Sequence, residues 1–456
     1  MSWLSHGLKE NKMIGCHIGR MFQVTVAGGS YQEGLTAIVQ GHPPAMPLTE
    51  QEIYGDLLLR KPGADELSSP RKEPDLPIIY SGLNAEDTIE NAGNKNHTNG
   101  TPLTILIPNL DRHFVHVKQY QDTNRTPRPG HASWASFVKY GPDDDSIGAG
   151  FFSGRYTSTI VAAGCIAKKV LRKCGISVFA YVKEIAGVRC PDIDHDKAFA
   201  YTENYKKMRC DLDPFYQEIY VKGRVNMNMR FLEKAAVFAQ IEKEIDAIRD
   251  KAPKISVKEI KNKYGVHHIL NCPDIDAAQA MTDACNKISA GGDSAGGLVE
   301  VVALGVPTGL GEPVFYKLDA ELGRMLGIGA VKAVEVGAGM AVKDMTGHQN
   351  NDQMQAKNGK VVFDSNNAGG ITGGLATGQP IIVRLAVKPT PTIAKPQHTI
   401  DKYTLETKQL AAITRRDPTI TARIWPVAEN YTAIVLLDHL LAHYGYQHIK
   451  ELHYAK

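Results

Sequence analysis

Apolar residues recur along the chain with two periods, and the changes between them mark out its elements. "MFQVTVAGG" (21–29) and "PLTILIPN" (102–109) are runs of β-branched and apolar residues ending in turn residues, and both predict strands. "TSTIVAAGCIAKKVLRKCG" (157–175) shifts to helical spacing: Ile160, Val161, Ile166, Val170 and Leu171 fall near one face and Gly175 supplies a stop. "GISVFAYVKEIAGV" (175–188) is strand-like again. Residues 230–252 predict an amphipathic helix with alternating charge on its outer face. "DIDAAQAMTDACNKISAGG" (274–292) predicts a helix closed by two glycines. "GGLVEVVALGVP" (296–307) and "GAVKAVEVGAGMAV" (329–342) predict strands. "PVAENYTAIVLLDHLLAHYG" predicts a closing helix with Pro426 near its start and Gly445 at its end. Asn-rich 91–100 reads as a surface loop, and no internal repeat is present.

Composition narrows the class. With 43% hydrophobic and 22% charged residues, the chain is an ordinary globular protein, and its 456 residues can bury a large core. A net charge of +3 is too small to imply a nucleic-acid or anionic-membrane partner, so any anionic ligand must be held by local Arg and Lys. Cys16, Cys165, Cys174, Cys190, Cys210, Cys272 and Cys285 are scattered and never form a CxxC pair. That argues for a reducing compartment and against a disulfide framework or a zinc site. No run of about 18 apolar residues predicts a membrane span. "MSWLSHGLKENK" has no leader signature, which points to the cytoplasm. Residues 1–12 read as an extension ahead of one domain, 13–456.

Five polar stretches could carry chemistry. "NAGGITGGLATGQP" (367–380) holds Gly369, Gly370, Gly373, Gly374 and Gly378, and Lys388, Thr390 and Thr392 follow. Glycines let backbone N–H groups turn to a ligand, and a lysine with hydroxyls suits a phosphate. The spacing is neither a dinucleotide fingerprint nor a P-loop, and tight turns between strands explain the glycines equally well. "GAGFFSGRYTST" brings Ser153, Arg155 and Thr157 to a helix start, where an anion or a plain N-cap would fit. "RTPRPGHASWASF" puts His131 after Pro-Gly on a turn, placed to exchange protons in a cleft or simply exposed. "ITRRDPTI" sets Arg415, Arg416 and Asp417 before the last helix, as an anion and proton site or as a turn. "LLLRKPGADELSSPRKEPD" carries Arg60-Lys61 and Arg71-Lys72, whose plain reading is a solvated basic loop.

In order, "GRMFQVTVAGGS", "RKPG", "PRKEPD", "GTPLTILIPNLD", "RPGHAS", "KYG", "SGRYT", "AAGCIAKK", "GDSAGGLVEVVALGVPTGLGEPVFYKLDAELGRML", "NNAGGITGGLATGQP", "KPTPTI" and "RRDP" resemble the chorismate synthase family. The resemblance covers about 13–185 and 270–445. It implies an α+β fold, a sandwich of helices between antiparallel sheets in a single large domain, assembled as a homotetramer. It implies a lyase that needs reduced flavin mononucleotide (FMN) to eliminate phosphate from 5-enolpyruvylshikimate 3-phosphate, giving chorismate. By the same resemblance, Asp293, Ser294, Gly370, Gly373, Lys388, Thr390 and Thr392 contact the flavin. Arg60, Ser153, Arg155 and Arg415 hold the substrate's phosphate and carboxylates, His131 protonates the departing phosphate, and Asp417 assists removal of the C6 proton.

The chain departs from the family at several points. Tyr31 stands where a catalytic histidine is expected, Phe151 replaces an arginine, and Arg416 stands where histidine or serine is common. Residues 186–268 are longer than the family segment and read as a helical insert at the periphery. Two further readings stay open on the sequence: a flavin-dependent lyase or isomerase on a related cyclic phosphate, and a non-catalytic ligand-binding paralogue. No nicotinamide fingerprint is present for an intrinsic reductase.

Overall fold

The computed structural model describes residues 14–63, 66–68, 73–86, 93–110, 124–145, 147–410 and 417–444. One antiparallel sheet contains β1 (His17–Ile18), β2 (Gln23–Gly28), β3 (Gly34–Gln40), β4 (Ile78–Ser81) and β5 (Leu103–Pro108), in the order β1-β2-β3-β5-β4. Its period-2 pattern turns Leu35, Ala37 and Val39 of β3 and Leu103, Ile105 and Ile107 of β5 to the core.

The second sheet contains β6 (Ser177–Ile185), β7 (Val188–Arg189), β8 (Gly297–Leu304), β9 (Val331–Val336) and β14 (Ile381–Val387), in the order β7-β6-β8-β14-β9. These strands too are antiparallel. Val178 to Val182 of β6 are all buried, because helices cover both faces of that strand. Three two-stranded hairpins complete the described strands: β10 (Met354–Lys357) with β11 (Lys360–Phe363), β12 (Ile371–Thr372) with β13 (Leu375–Ala376), and β15 (Gln397–Ile400) with β16 (Thr407–Leu410).

The helices are α1 (Glu50–Arg60), α2 (Ser133–Tyr140), α3 (Thr157–Lys173), α4 (His195–Leu212), α5 (Phe231–Arg249), α6 (Val257–Tyr264), α7 (Ile275–Ala290), α8 (Leu318–Gly323), α9 (Gly347–Asn350) and α10 (Thr421–Tyr444). Helix α3 packs on β2, β3 and β5, helix α10 packs on β6 and β8, and the two helices pack on each other. The result is the expected sandwich of sheet, helix, helix, sheet. Helix α10 is apolar all round because it has no solvent face: Ile424, Val427, Ile434, Leu436 and Leu440 are all buried. Gly164 lets α3 and α10 touch, since a Cβ there would lie 2.3 Å from Asn430 Cβ.

The two carboxylates of α10 are both engaged. Glu429 accepts from Lys168 at 2.5 Å, Lys206 at 2.9 Å and the Ala180 N–H at 3.2 Å. Asp438 accepts from the N–H groups of Arg20, Met21 and Phe22 at 2.7, 2.6 and 2.9 Å, tying the start of the first sheet to the central helix.

Within 186–268, α4, a π-helical turn at Tyr216–Val221 and α5 lie against α1, β4 and β6, and α6 packs on α4. Tyr216 and Tyr220 pack on Tyr54 of α1, and Lys234 pairs with Glu50. The predicted strand at 329–342 is only half strand. It ends at Val336, and Gly339–Asp344 form a 3₁₀ helix. Gly337 breaks it, because its backbone turns at φ +60° against Asn367 and Gly369.

Candidate active site

Helix α1 was not foreseen in the sequence, although Thr49 and Glu52 form its capping box. Leu57, Leu58 and Leu59 bury its last turn and carry Arg60 inward with them. Arg60 Nη1 donates to Gly154 O at 3.3 Å, Arg155 O at 3.2 Å and Thr157 Oγ1 at 3.3 Å, and Nη2 pairs with Asp75 at 2.7 Å. Ser153 accepts from the Arg155 N–H at 3.3 Å and caps the short turn before α3. That turn aims the buried Arg155 at Asp75 and, at 3.3 Å, at Glu73. Arg155 Nη2 also donates to Asn109 Oδ1 at 2.6 Å.

Across from them, Asp417 pairs with Arg423 of α10 at 2.7 Å. Arg60, Ser153, Arg155, Thr157, Asp417 and Arg423 line one cavity of about 150 Å³. Burial, with Arg155 and Arg423 nearby, pushes Arg60 down to about 10 against the pull of Asp75. Three guanidiniums crowded round one cavity favour an anion inside it.

A second group adjoins the cavity through Gly329, which lines it, and Ala330, whose carbonyl accepts from the Lys388 N–H at 2.9 Å. Lys388 Nζ donates to Gly130 O, next to His131. His131 is half-buried, and its Nδ1 has no hydrogen-bond partner. Burial, then Arg128 and Lys388, push it down to about 4, so it is neutral at pH 7. Burial and Lys332 push Lys388 down as well. Thr390 Oγ1 donates to Asp417 O at 2.7 Å, and Ser294 Oγ donates to Thr390 O at 2.8 Å. Asp293 pairs with Lys395 at 2.8 Å, and Thr392 is half-buried on the same loop.

Ten of the sequence-predicted site residues therefore gather at one end of the second sheet: Arg60, His131, Ser153, Arg155, Asp293, Ser294, Lys388, Thr390, Thr392 and Asp417. Gly370 and Gly373 do not join them. They sit before Ile381, at the far end of β14 from Lys388, roughly 20 Å away at about 3.3 Å per residue. What comes close to the glycine backbone is the chain itself. A Cβ on Gly369 would lie 2.3 Å from Gly337 N, one on Gly370 2.5 Å from Pro380 O, and one on Gly374 2.5 Å from Lys317 Cγ. Gly373 alone faces open space.

Tyr31 is on the β2–β3 turn and is not part of the cavity wall. The turn is nonetheless connected to it, since Asn109 Nδ2 donates to Gly29 O at 3.0 Å and Gln32 O at 2.7 Å while Asn109 Oδ1 holds Arg155. Arg415 and Arg416 lie outside the described residues. Sequence reading missed Asp75, Asn109 and Arg423. Arg423 had a visible signal, a lone cation early in an otherwise apolar helix.

The chorismate synthase family profile matches residues 22–441. The chain belongs to the chorismate synthase family. Chorismate synthase of Acetivibrio thermocellus is 36% identical over 455 residues, 96% of this chain and 97% of that protein. Chorismate synthases of Methanococcoides burtonii and Pyrococcus abyssi are 34% and 35% identical, covering 94% and 93% of this chain and 96% and 97% of theirs. A solved chorismate synthase has the same fold, with a TM-score of 0.62 at 24% identity over 95% of this chain and 97% of its own. The family's enzymes are lyases that convert 5-enolpyruvylshikimate 3-phosphate to chorismate in the shikimate pathway of aromatic amino acid biosynthesis. Among the described residues, no helix is long and apolar enough to cross a membrane.

Proposed function

We propose that the cavity and the Lys388 group together form the site at which this chain eliminates phosphate from 5-enolpyruvylshikimate 3-phosphate. The observation that carries the reading is the convergence of Arg60, Arg155 and Arg423 on one cavity beside Ser153 and Asp417. A substrate with a phosphate and two carboxylates is costly to desolvate without paired cations. These guanidiniums supply them.

The elimination breaks the C3–O and C6–H bonds and forms one C=C bond, with no net redox change. His131 gives its proton to the departing phosphate. It starts neutral, and the incoming dianion raises its pKa toward the protonated form, so substrate binding itself loads the acid. Asp417, oriented by Arg423, is assigned to removal of the C6 proton.

The donor set at Lys388 fits an anionic flavin. A crowded lysine and the unpartnered His131 Nδ1 suit a negatively charged group, on a loop held by the Thr390 and Ser294 hydroxyls, which donate to Asp417 O and Thr390 O. Lys388, Thr390 and Ser294 would hold reduced FMN there, with Lys395 kept alongside by Asp293, and the flavin would supply electron density for the loss of phosphate.

We retain the cytoplasmic homotetramer in this reading. Exposed Met354, Val361 and Val362 on the β10–β11 hairpin support cover by another copy, which sedimentation would detect. The decisive assay is anaerobic: reduced FMN and 5-enolpyruvylshikimate 3-phosphate are supplied and chorismate is followed. Absence of chorismate with both ligands bound overturns the reading.

A further inference from the structure

Asn109 follows β5 and is buried, 8% exposed. Its backbone N–H donates to Glu33 O at 3.1 Å, which fixes it beside the β2–β3 turn. Its side-chain amide then joins that turn to the catalytic cavity. Nδ2 donates to Gly29 O at 3.0 Å and to Gln32 O at 2.7 Å, so both amide hydrogens are used. Oδ1 accepts from Arg155 Nη2 at 2.6 Å. A guanidinium only donates and a carbonyl only accepts, so the amide has one orientation here. An aspartate in its place has no donor for the two carbonyls, and a leucine meets none of the three partners.

The neutrality of the amide matters as much as its shape. Arg60 and Arg155 face Asp75 and Glu73, two cations against two carboxylates. A third carboxylate beside Arg155 would make this buried group net negative, on the wall of a cavity that must admit an anion. Asn109 holds Arg155 without cancelling its charge. A second tie runs parallel to it: Ser30 and Ser153 both donate their N–H groups to Gly150 O at 3.3 Å. Ser153 and Arg155, two cavity residues that precede α3, are therefore both anchored to the β2–β3 turn.

We propose that Asn109 is a positioning residue for substrate binding: it fixes the direction of the Arg155 guanidinium toward the bound anion and leaves its charge uncancelled. It touches no reacting atom and acts through Arg155. The proposal rests on the reading of the cavity as the substrate site.

The test is calorimetric titration of the full-length protein with 5-enolpyruvylshikimate 3-phosphate and no reduced flavin, well below the melting temperature of each variant, with steady-state rates alongside. Asn109→Ala should weaken substrate binding and raise KM roughly tenfold, the value of one charge-assisted hydrogen bond, and leave kcat within about twofold. Asn109→Asp, nearly the same size, should weaken binding further, because it adds the third carboxylate. In an Arg155→Lys background Asn109→Ala should cost less than about twofold, since the two residues act as one unit. Unchanged affinity in folded Asn109→Ala, even with a lower melting temperature, overturns the proposal and leaves Asn109 a strut of the turn. A loss confined to kcat overturns it too. So does a loss of full size in the Arg155→Lys background, because the effect then runs through the turn and not through Arg155. Asn109→Asp binding substrate as well as Asn109→Ala overturns the role of neutrality. If the wild-type protein binds no substrate, the substrate reading fails and takes the proposal with it. If it binds and the variants match it, only the proposal fails.

Discussion

Arg60 and Arg155 share Asp75 at the wall of the catalytic cavity, while Lys168 and Lys206 share Glu429 between α3 and α10. Both are buried clusters of the same kinds of ion pair. In the helix cluster Asp56 and Glu429 raise Lys168 above its ordinary pKa, and the two lysines hold Glu429 down at about 2. In the cavity cluster the sign is opposite, with Arg60 pushed down to about 10 by burial and by other cations. Both clusters are matched with counter-charge: Arg60, Arg155 and Arg423 by Asp75, Glu73 and Asp417, and Lys168 and Lys206 by Asp56 and Glu429. The difference is that the first opens on a void and the second is closed. Buried charge by itself distinguishes nothing here; the cavity separates the two clusters.

Substitutions can break this contrast. The largest effect is expected at the cavity end, where His131→Ala should lower turnover by roughly 10²–10⁴-fold with the melting temperature at pH 7 nearly unchanged. Steady-state rates and a thermal melt read both halves, and a near wild-type rate would make His131 a plain turn residue. Lys168→Met should do the reverse, costing about 3 kcal/mol in denaturant unfolding because Glu429 loses a partner, with kcat per folded molecule kept. If that variant loses activity while fully folded, the helix cluster is not merely structural.

Arg60→Met should raise KM roughly 100-fold, about one strong charge-assisted contact, and cost stability as well, because buried Asp75 keeps only Arg155. An unchanged KM in the folded variant would make Arg60 a structural residue only.

The smallest effect sharpens the electrostatics. His131 has its pKa lowered from 6.5 to about 4 on folding, so between those values the unfolded chain binds more protons. Stability is then lost as pH falls from about 6.5 to about 4, with no contribution from this group at higher pH. His131→Asn should shrink the drop in melting temperature between pH 7 and 5. His267, also pushed down to about 4, keeps its own share of that drop.

Periodicity alone located the strands around 23–28, 103–108, 177–185 and 297–304 and the helices at 157–173, 231–249 and 275–290, because a half-buried surface must repeat with the period of its backbone. Ordered motifs gave the family and pointed to ten residues that the fold gathers at one end of the second sheet. Helix α1 escaped because its weakly amphipathic run looked like part of a basic loop. The glycine segment was ambiguous because close approach to a ligand and close approach to another strand need the same missing Cβ. Only the folded chain showed that Gly337, Pro380 and Lys317 fill that space. Tertiary structure also chose which cations are satisfied. Arg60, Arg423 and Lys168 are equally charged in the sequence and all find carboxylates; only the fold put the first two on a cavity wall and the third between two packed helices.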